Sequence, residues 1–145
     1  MLIRAVRGPE EYAALVQIWR SAVRATHDFL DESDFARIES HLASDYFPAV
    51  TLTVAEKNGQ QVGFAGVLDN ALEMLFVSDS VRGEGIGSAL LAEVITNQAV
   101  SKVDVNEQNT GAHAFYLSRG FVLVGRSELD GDGRPYPILH LEIRG

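Results

Sequence analysis

The segment S-D-S-V-R-G-E-G-I-G, Ser78 to Gly87, constrains the fold of this chain more than any other stretch. An apolar run, Ala71 to Val77, leads into it, and Ile86, Leu90, Leu91, Val94 and Ile95 follow at helical spacing. Strand, glycine-rich corner and helix in that order suit a phosphate. Glycines let backbone N–H groups converge, and the helix N-terminus adds positive potential. A plain turn before a helix is the other reading of the loop taken alone. What the loop lacks narrows the choice of phosphate. A nucleoside-triphosphate loop closes on G-K-[ST], whereas Gly87 is followed by Ser88 and Ala89. The dinucleotide pattern G-x-G-x-x-G fails from Gly83, because Ser88 replaces its third glycine, and from Gly85, because Leu90 does.

Around this corner strands and helices alternate without an internal repeat or a linker. Leu2 to Val6 predicts an opening strand that ends at Gly8-Pro9. Pro9, Glu10 and Glu11 suit a first helical turn, and Tyr12, Leu15, Val16, Trp19 and Val23 recur with helical period. Asp31 is a good N-cap for a second helix through Phe35, Ile38 and Leu42 towards Pro48. Val50 to Glu56 and Gln61 to Leu68 flank the hairpin dipeptide Asn58-Gly59, and Ala71 to Val77 extends the meander. Beyond the loop and its helix, Val100 to Val105 reads as a strand and Asn109 to Arg119 as a helix closed by Gly120. Phe121 to Ser127 and Tyr136 to Ile143 are the last two strands, joined across a D-G-D-G turn. The 145 residues suit one domain, 1–145, of mixed α/β class.

Composition limits the chemistry. The chain has no cysteine, which excludes disulfides, a thiolate nucleophile and Cys-ligated zinc, and agrees with a reducing cytosol. No apolar run approaches the roughly 20 residues that cross a bilayer, and Arg4 and Arg7 interrupt any export signal in the first ten residues. The expectation is a cytoplasmic protein without a membrane partner. A net charge of −8 weighs against nucleic acid and anionic membranes; it either suits a cationic substrate or serves solubility alone. His41, His113 and His140 are scattered without metal-ligand spacing, and no H-E-x-x-H occurs, so no metal is expected.

On these residues the chain resembles the GNAT superfamily of N-acetyltransferases. Their motif is Arg or Gln, two residues, Gly, one residue, then Gly or Ala, and Arg82, Gly85 and Gly87 fill it. L-F-V-S-D-S-V-R before the loop is similar to the family's fourth strand, although the proline common there is Ser80 or absent. The resemblance covers essentially the whole chain. It implies an acyl-CoA N-acyltransferase fold, with a mostly antiparallel sheet of about seven strands that opens between strands 4 and 5, flanked by four helices. It also implies acetyl-CoA as the donor. Main-chain groups of Leu75, Phe76 and Val77 would pair with the pantetheine arm as an added strand does. Arg82, Gly83, Glu84, Gly85, Ile86, Gly87 and Ser88 would hold the pyrophosphate.

N-T-G-A-H-A-F-Y-L-S-R-G-F resembles the family's second cofactor motif. There Asn109 would contact pantetheine and the Tyr116 hydroxyl would protonate the departing sulfur. Residues seven apart on a helix differ by about 20° in direction, which puts the two on one face. Asn109 is also readable as a plain N-cap and Tyr116 as a core residue. An amine acceptor arrives mostly as ammonium, so a base is needed, directly or through water. Asp104 and Glu73, each in an apolar strand, are the candidates, although such a charge also suits the solvent face of a half-buried strand. By the resemblance, the region of His27, Asp28 and Phe29 lines the acceptor site, with His27 a further candidate base, and Tyr136 lies at its mouth; an ordinary interhelical loop is the other reading. The acceptor is then a small-molecule or protein amine, with no nucleic acid expected, and the protein a monomer or homodimer. Two other functions stand beside this one: an acetyl-CoA-binding sensor without transfer, and an enzyme that acetylates aminoacyl-tRNA.

Overall fold

Asn58 and Gly59 take positive φ, 54° and 77°, and Asp69 and Asn70 do the same at 50° and 67°. Paired left-handed residues in a two-residue loop twist in the sense of the strands they join, so both loops close tight hairpins. The computed structural model describes residues 1–26 and 29–143. In it, β2 (Thr51–Lys57), β3 (Gln60–Leu68) and β4 (Ala71–Val77) form an antiparallel meander, with β1 (Leu2–Ala5) antiparallel to β2 on its other side. This sheet belongs to the first of two compact units, Met1–Val100; the second is Ser101–Gly145.

In the first unit, α1 (Tyr12–Thr26) and α2 (Glu32–His41) cover one face of the sheet. Leu15, Ile18, Trp19 and Val23 of α1 and Phe35 of α2 are buried in one cluster with Leu52, Val54 and Phe64 of the strands. Burying each such side chain contributes about 1.5–3 kcal/mol. Asp31 caps α2, its carboxylate accepting from the Asp34 N–H at 2.8 Å. The chain does not continue α-helical to Pro48: Leu42–Tyr46 is a π turn, closed by Phe47 N–H on the Leu42 carbonyl at 2.8 Å. Leu42 and Phe47 are both buried, and the wider turn brings residues five apart round to the same side, which α geometry does not. On the opposite face of the sheet, α3 (Ile86–Gln98) approaches β3 closely at Gly63, where a β-carbon would lie 3.1 Å from Ile86 and 3.2 Å from Leu90. The left-handed Ala99 ends α3, and Val100 donates back to Val94 at 3.3 Å, so the next strand starts two residues later than the apolar pattern suggests.

The second unit has three strands, with β7 (Ile138–Ile143) antiparallel to both β5 (Lys102–Asn106) and β6 (Phe121–Ser127). Directly opposed residues share a face. Val103, Val105, Leu139, Leu141 and Phe121 are buried together on one side, and α4 (Thr110–Ser118) packs there through Tyr116, whose ring lies 5.6 Å from that of Phe121. Asp104 and His140 oppose each other on the other side. The last strand begins at Ile138 rather than Tyr136, because Pro135 and Pro137 have no N–H for a ladder. In the turn before it, Asp130 Oδ1 accepts from the N–H groups of Asp132 and Arg134 at 3.0 and 2.9 Å. The described residues thus hold seven strands and four α-helices, a mixed α/β chain, and no described helix is long and apolar enough to cross a membrane.

Candidate active site

The first unit holds β4, the glycine loop and the N-terminus of α3. Ser78 donates its N–H to the Val62 carbonyl at 2.8 Å, which fixes the phase of the β3–β4 ladder. Hydrogen-bonded pairs alternate, so Phe76 is engaged with Phe64, and the main-chain groups of Leu75 and Val77 point away from β3. Of the three residues named for an added strand, Leu75 and Val77 therefore carry the outward groups.

After β4 a single 3-10 turn, Asp79–Val81, delivers the chain to the glycine loop. Gly83 and Gly85 are left-handed, at φ 84° and 80°, and a β-carbon on either would meet nothing within 4 Å. Glycine is required here by backbone conformation, and the space in front of the loop is open. Gly85 is the N-cap of α3 and brings no side chain, so the first-turn N–H groups of Ile86 and Gly87 have neither a capping side chain nor an intrahelical acceptor. Such a terminus suits a phosphate. Arg82 is mostly exposed, with Asp79 Oδ1 3.7 Å away. Glu84 is held by Lys57 of the β2–β3 hairpin, an ion pair that offsets its negative charge in the glycine loop.

In the second unit Asn109 is the N-cap of α4, its Oδ1 accepting from the Ala112 N–H at 3.1 Å. It stands just outside the helix, so the seven-residue argument for a shared face with Tyr116 applies only approximately. Tyr116 is buried, edge-on to Phe115 and Phe121 at 5.2 and 5.6 Å. Burial pushes its pKa well above the ordinary phenol value of about 10, which keeps the hydroxyl protonated. Tyr136 is also buried.

The two base candidates have different surroundings. Glu73 is exposed on β4. Asp104 pairs through Oδ1 with His140 Nδ1 at 2.7 Å, and the Nε2 of the same ring meets the Ser127 hydroxyl at 2.7 Å. Sequence reasoning missed this chain of three. Its cause is strand register, which no local pattern in the sequence reveals. Phe29 lies in the turn that precedes α2. His27 and Asp28 lie outside the described residues. Among the described residues no group of three or more His, Asp and Glu side chains is placed to hold a metal ion.

The first unit thus presents the outward main-chain groups of Leu75 and Val77 and a glycine-opened helix N-terminus, and the second a buried tyrosine. The acetyltransferase (GNAT) domain family matches residues 22–136, and the chain belongs to that family. Among its relatives, the peptidyl-lysine N-acetyltransferase YjaB of Salmonella typhimurium is 43% identical over 133 residues, 91% of each chain. The solution structure of apo-form YjaB from Escherichia coli matches with a TM-score of 0.88 at 38% identity, over 99% of this chain and 97% of that one. The PaiA N-acetyltransferase of Thermoplasma acidophilum, solved in complex with coenzyme A, shares the fold at 17% identity, with a TM-score of 0.74 over 99% of this chain and all of that one.

Proposed function

We propose that the chain is a single N-acetyltransferase domain that moves an acetyl group from acetyl-CoA to a primary amine, with the lysine side chain of a protein as the favoured acceptor. The observation that carries this reading is the N-terminus of α3, opened by left-handed Gly83 and Gly85 and capped by no side chain. The name of the Salmonella relative favours lysine, and the net charge of −8 suits a cationic acceptor.

In this reading the N–H groups from Gly83 to Ser88 hold the pyrophosphate, and Leu75 and Val77 hold the pantetheine arm. A backbone N–H at the end of β4 stabilises the developing oxyanion while the amine nitrogen bonds to the carbonyl carbon and the carbon–sulfur bond breaks. Tyr116 gives its proton to the sulfur. Burial raises its pKa, so the phenol keeps its proton until charge develops on the sulfur.

The purified protein, incubated with acetyl-CoA and a lysine-containing peptide, should release free thiol and add one acetyl mass to the peptide. Tight acetyl-CoA binding without transfer to any amine would support a sensor instead. Salt-dependent retention of tRNA on a filter would shift the acceptor to aminoacyl-tRNA.

A further inference from the structure

The chain has two lysines, Lys57 and Lys102. Any lysine that it acetylates on a second copy of itself is therefore one of these. They are placed differently. Lys102 opens β5 and lies opposite Glu142 in the ladder with β7, so its main chain is committed to a sheet. Lys57 ends β2 immediately before the left-handed Asn58-Gly59 turn, at the tip of a hairpin. A side chain at such a tip enters another protein's cleft without unpairing its strand. Lys57 also touches the glycine loop, its Nζ paired with Glu84 Oε1. The two side chains are 40% and 42% exposed, so leaving the pair costs Lys57 little. The charge it brings matters more. From Ser78 to Ser88 the chain carries two carboxylates, Asp79 and Glu84, against one cation, Arg82, and Lys57 restores the balance. Between the hairpin and the turn after β4 lies a cavity of about 220 Å³, lined by Lys57, Asn58, Gln60, Ser78 and Ser80 among others. Lys57 is the one charged group in that lining, so a neutral amide at its end would find uncharged polar neighbours.

We propose that Lys57 is a self-acetylation site, modified by a second copy of the chain, and that the modification weakens acetyl-CoA binding at the glycine loop; this rests on the acetyltransferase function above. With the pyrophosphate at Gly83 to Ser88 and the arm along Leu75 and Val77, the acetyl group lies a pantetheine length from Glu84. Lys57, beside Glu84, is at the pyrophosphate end, so it reaches the acetyl group of another copy and not its own. Its Nζ, as the free amine, bonds to the carbonyl carbon while the carbon–sulfur bond breaks and its electron pair leaves with sulfur. The nitrogen sheds two protons in passing from ammonium to amide. One balances the proton that sulfur gains and the other goes to water, so ammonium and thioester give amide, thiol and one proton. Acetyl-lysine carries no charge and no longer pairs with a carboxylate. Glu84 then stands uncompensated in the loop that would hold the pyrophosphate, and like charges a few ångströms apart weaken binding. Turnover falls at limiting acetyl-CoA.

The test incubates the purified wild type with saturating acetyl-CoA at several protein concentrations and maps the acetyl groups by mass spectrometry of its peptides. Lys57 should be labelled ahead of Lys102 and the Met1 amine, at an initial rate that rises with the square of protein concentration. Acetyl-CoA Kd is then measured by calorimetry for wild type, Lys57→Arg and Lys57→Gln. Lys57→Arg keeps the charge and should bind as wild type does, whereas Lys57→Gln, which matches the acetylated state in charge, should bind about 5-fold more weakly. That deficit should shrink as salt is raised from about 0.05 M to about 1 M, which a loss of hairpin packing would not do. Labelling of Lys57 no faster than Lys102, or linear in protein concentration, overturns modification by a second copy. Wild-type affinity in Lys57→Gln, or a deficit indifferent to salt, overturns the effect on binding. Transfer to a lysine peptide with Lys57 untouched overturns this proposal alone. No transfer to any amine overturns the acetyltransferase reading, and this proposal with it.

Discussion

Glu11 receives both terminal nitrogens of Arg4, at 2.9 and 2.8 Å, and is nearly enclosed in doing so. The same carboxylate accepts from the Arg7 N–H at 2.6 Å and from Gln61 at 2.9 Å, while Arg4 also reaches Glu56 at 3.0 Å. These bonds tie β1, the turn before α1, β2 and β3 together. Arg4 first, then Gln61 and the Arg7 N–H, outweigh desolvation and hold the Glu11 carboxyl at about 2.

Glu11→Gln should therefore cost about 2–3 kcal/mol at neutral pH, because it leaves the Arg4 charge poorly compensated in a mostly buried site. The folded carboxyl lies below its unfolded value of about 4.3, so its contribution is complete above that pH and is lost as pH falls towards about 2. The gap in urea-unfolding free energy between wild type and Glu11→Gln should narrow by about half between pH 6 and pH 3. A gap constant over that range would mean that the carboxylate does not contribute through its charge.

Gly63→Ala tests how α3 is seated. A β-carbon at Gly63 would stand 3.1 Å from Ile86, 3.2 Å from Leu90 and 3.2 Å from the Phe76 carbonyl oxygen, and backbone does not give way easily. The expected cost is about 1–3 kcal/mol. Ile86 is the first residue of the helix whose N-terminus is the proposed pyrophosphate cradle, so on that proposal calorimetry should also show weaker acetyl-CoA binding. An unchanged melting temperature would mean that α3 shifts freely.

What could be read beforehand was local. The Asn58-Gly59 hairpin, the Asp31 cap and the glycine corner each depend on residues within a few positions of one another, and each was found where the pattern put it. The π turn after His41 was hidden, because it answers to the burial of Leu42 and Phe47 together. The phase that turns Leu75 and Val77 outward was hidden too, since it is set by pairing with β3. The largest omission was His140. It lies 36 residues from Asp104 and 13 from Ser127, and only a bulge at Val124 aligns them, so no spacing rule applied to the chain would have joined the three.

Asn109 has a structural task and a proposed cofactor task, and two substitutions separate them. Asn109→Ala removes the cap on the Ala112 N–H and should cost about 1 kcal/mol. Asn109→Asp keeps a capping oxygen, adds charge favourable to the helix N-terminus and removes the amide donor. If Asn109 contacts pantetheine through its amide, Asn109→Asp should melt at or above the wild-type temperature and bind acetyl-CoA several-fold more weakly. Wild-type affinity in Asn109→Asp would reduce the residue to its cap.

Tyr116→Phe removes one hydroxyl and leaves the edge-on packing with Phe115 and Phe121 in place. A residue needed only for that packing would lose nothing, and the buried site would even be relieved of a polar group. As the proton donor to sulfur, its loss should lower kcat about 100-fold while KM for acetyl-CoA changes little, because the hydroxyl acts on charge that develops only as the carbon–sulfur bond breaks. The raised pKa adds a second expectation: the wild-type rate should show no alkaline decline from this group up to about pH 10, since the buried phenol stays protonated there. Steady-state kinetics of both proteins with one lysine peptide decide the matter. Equal kcat values would assign the sulfur's proton to another donor, and a decline in wild type alone near pH 9 would show that the phenol is more exposed during turnover than at rest.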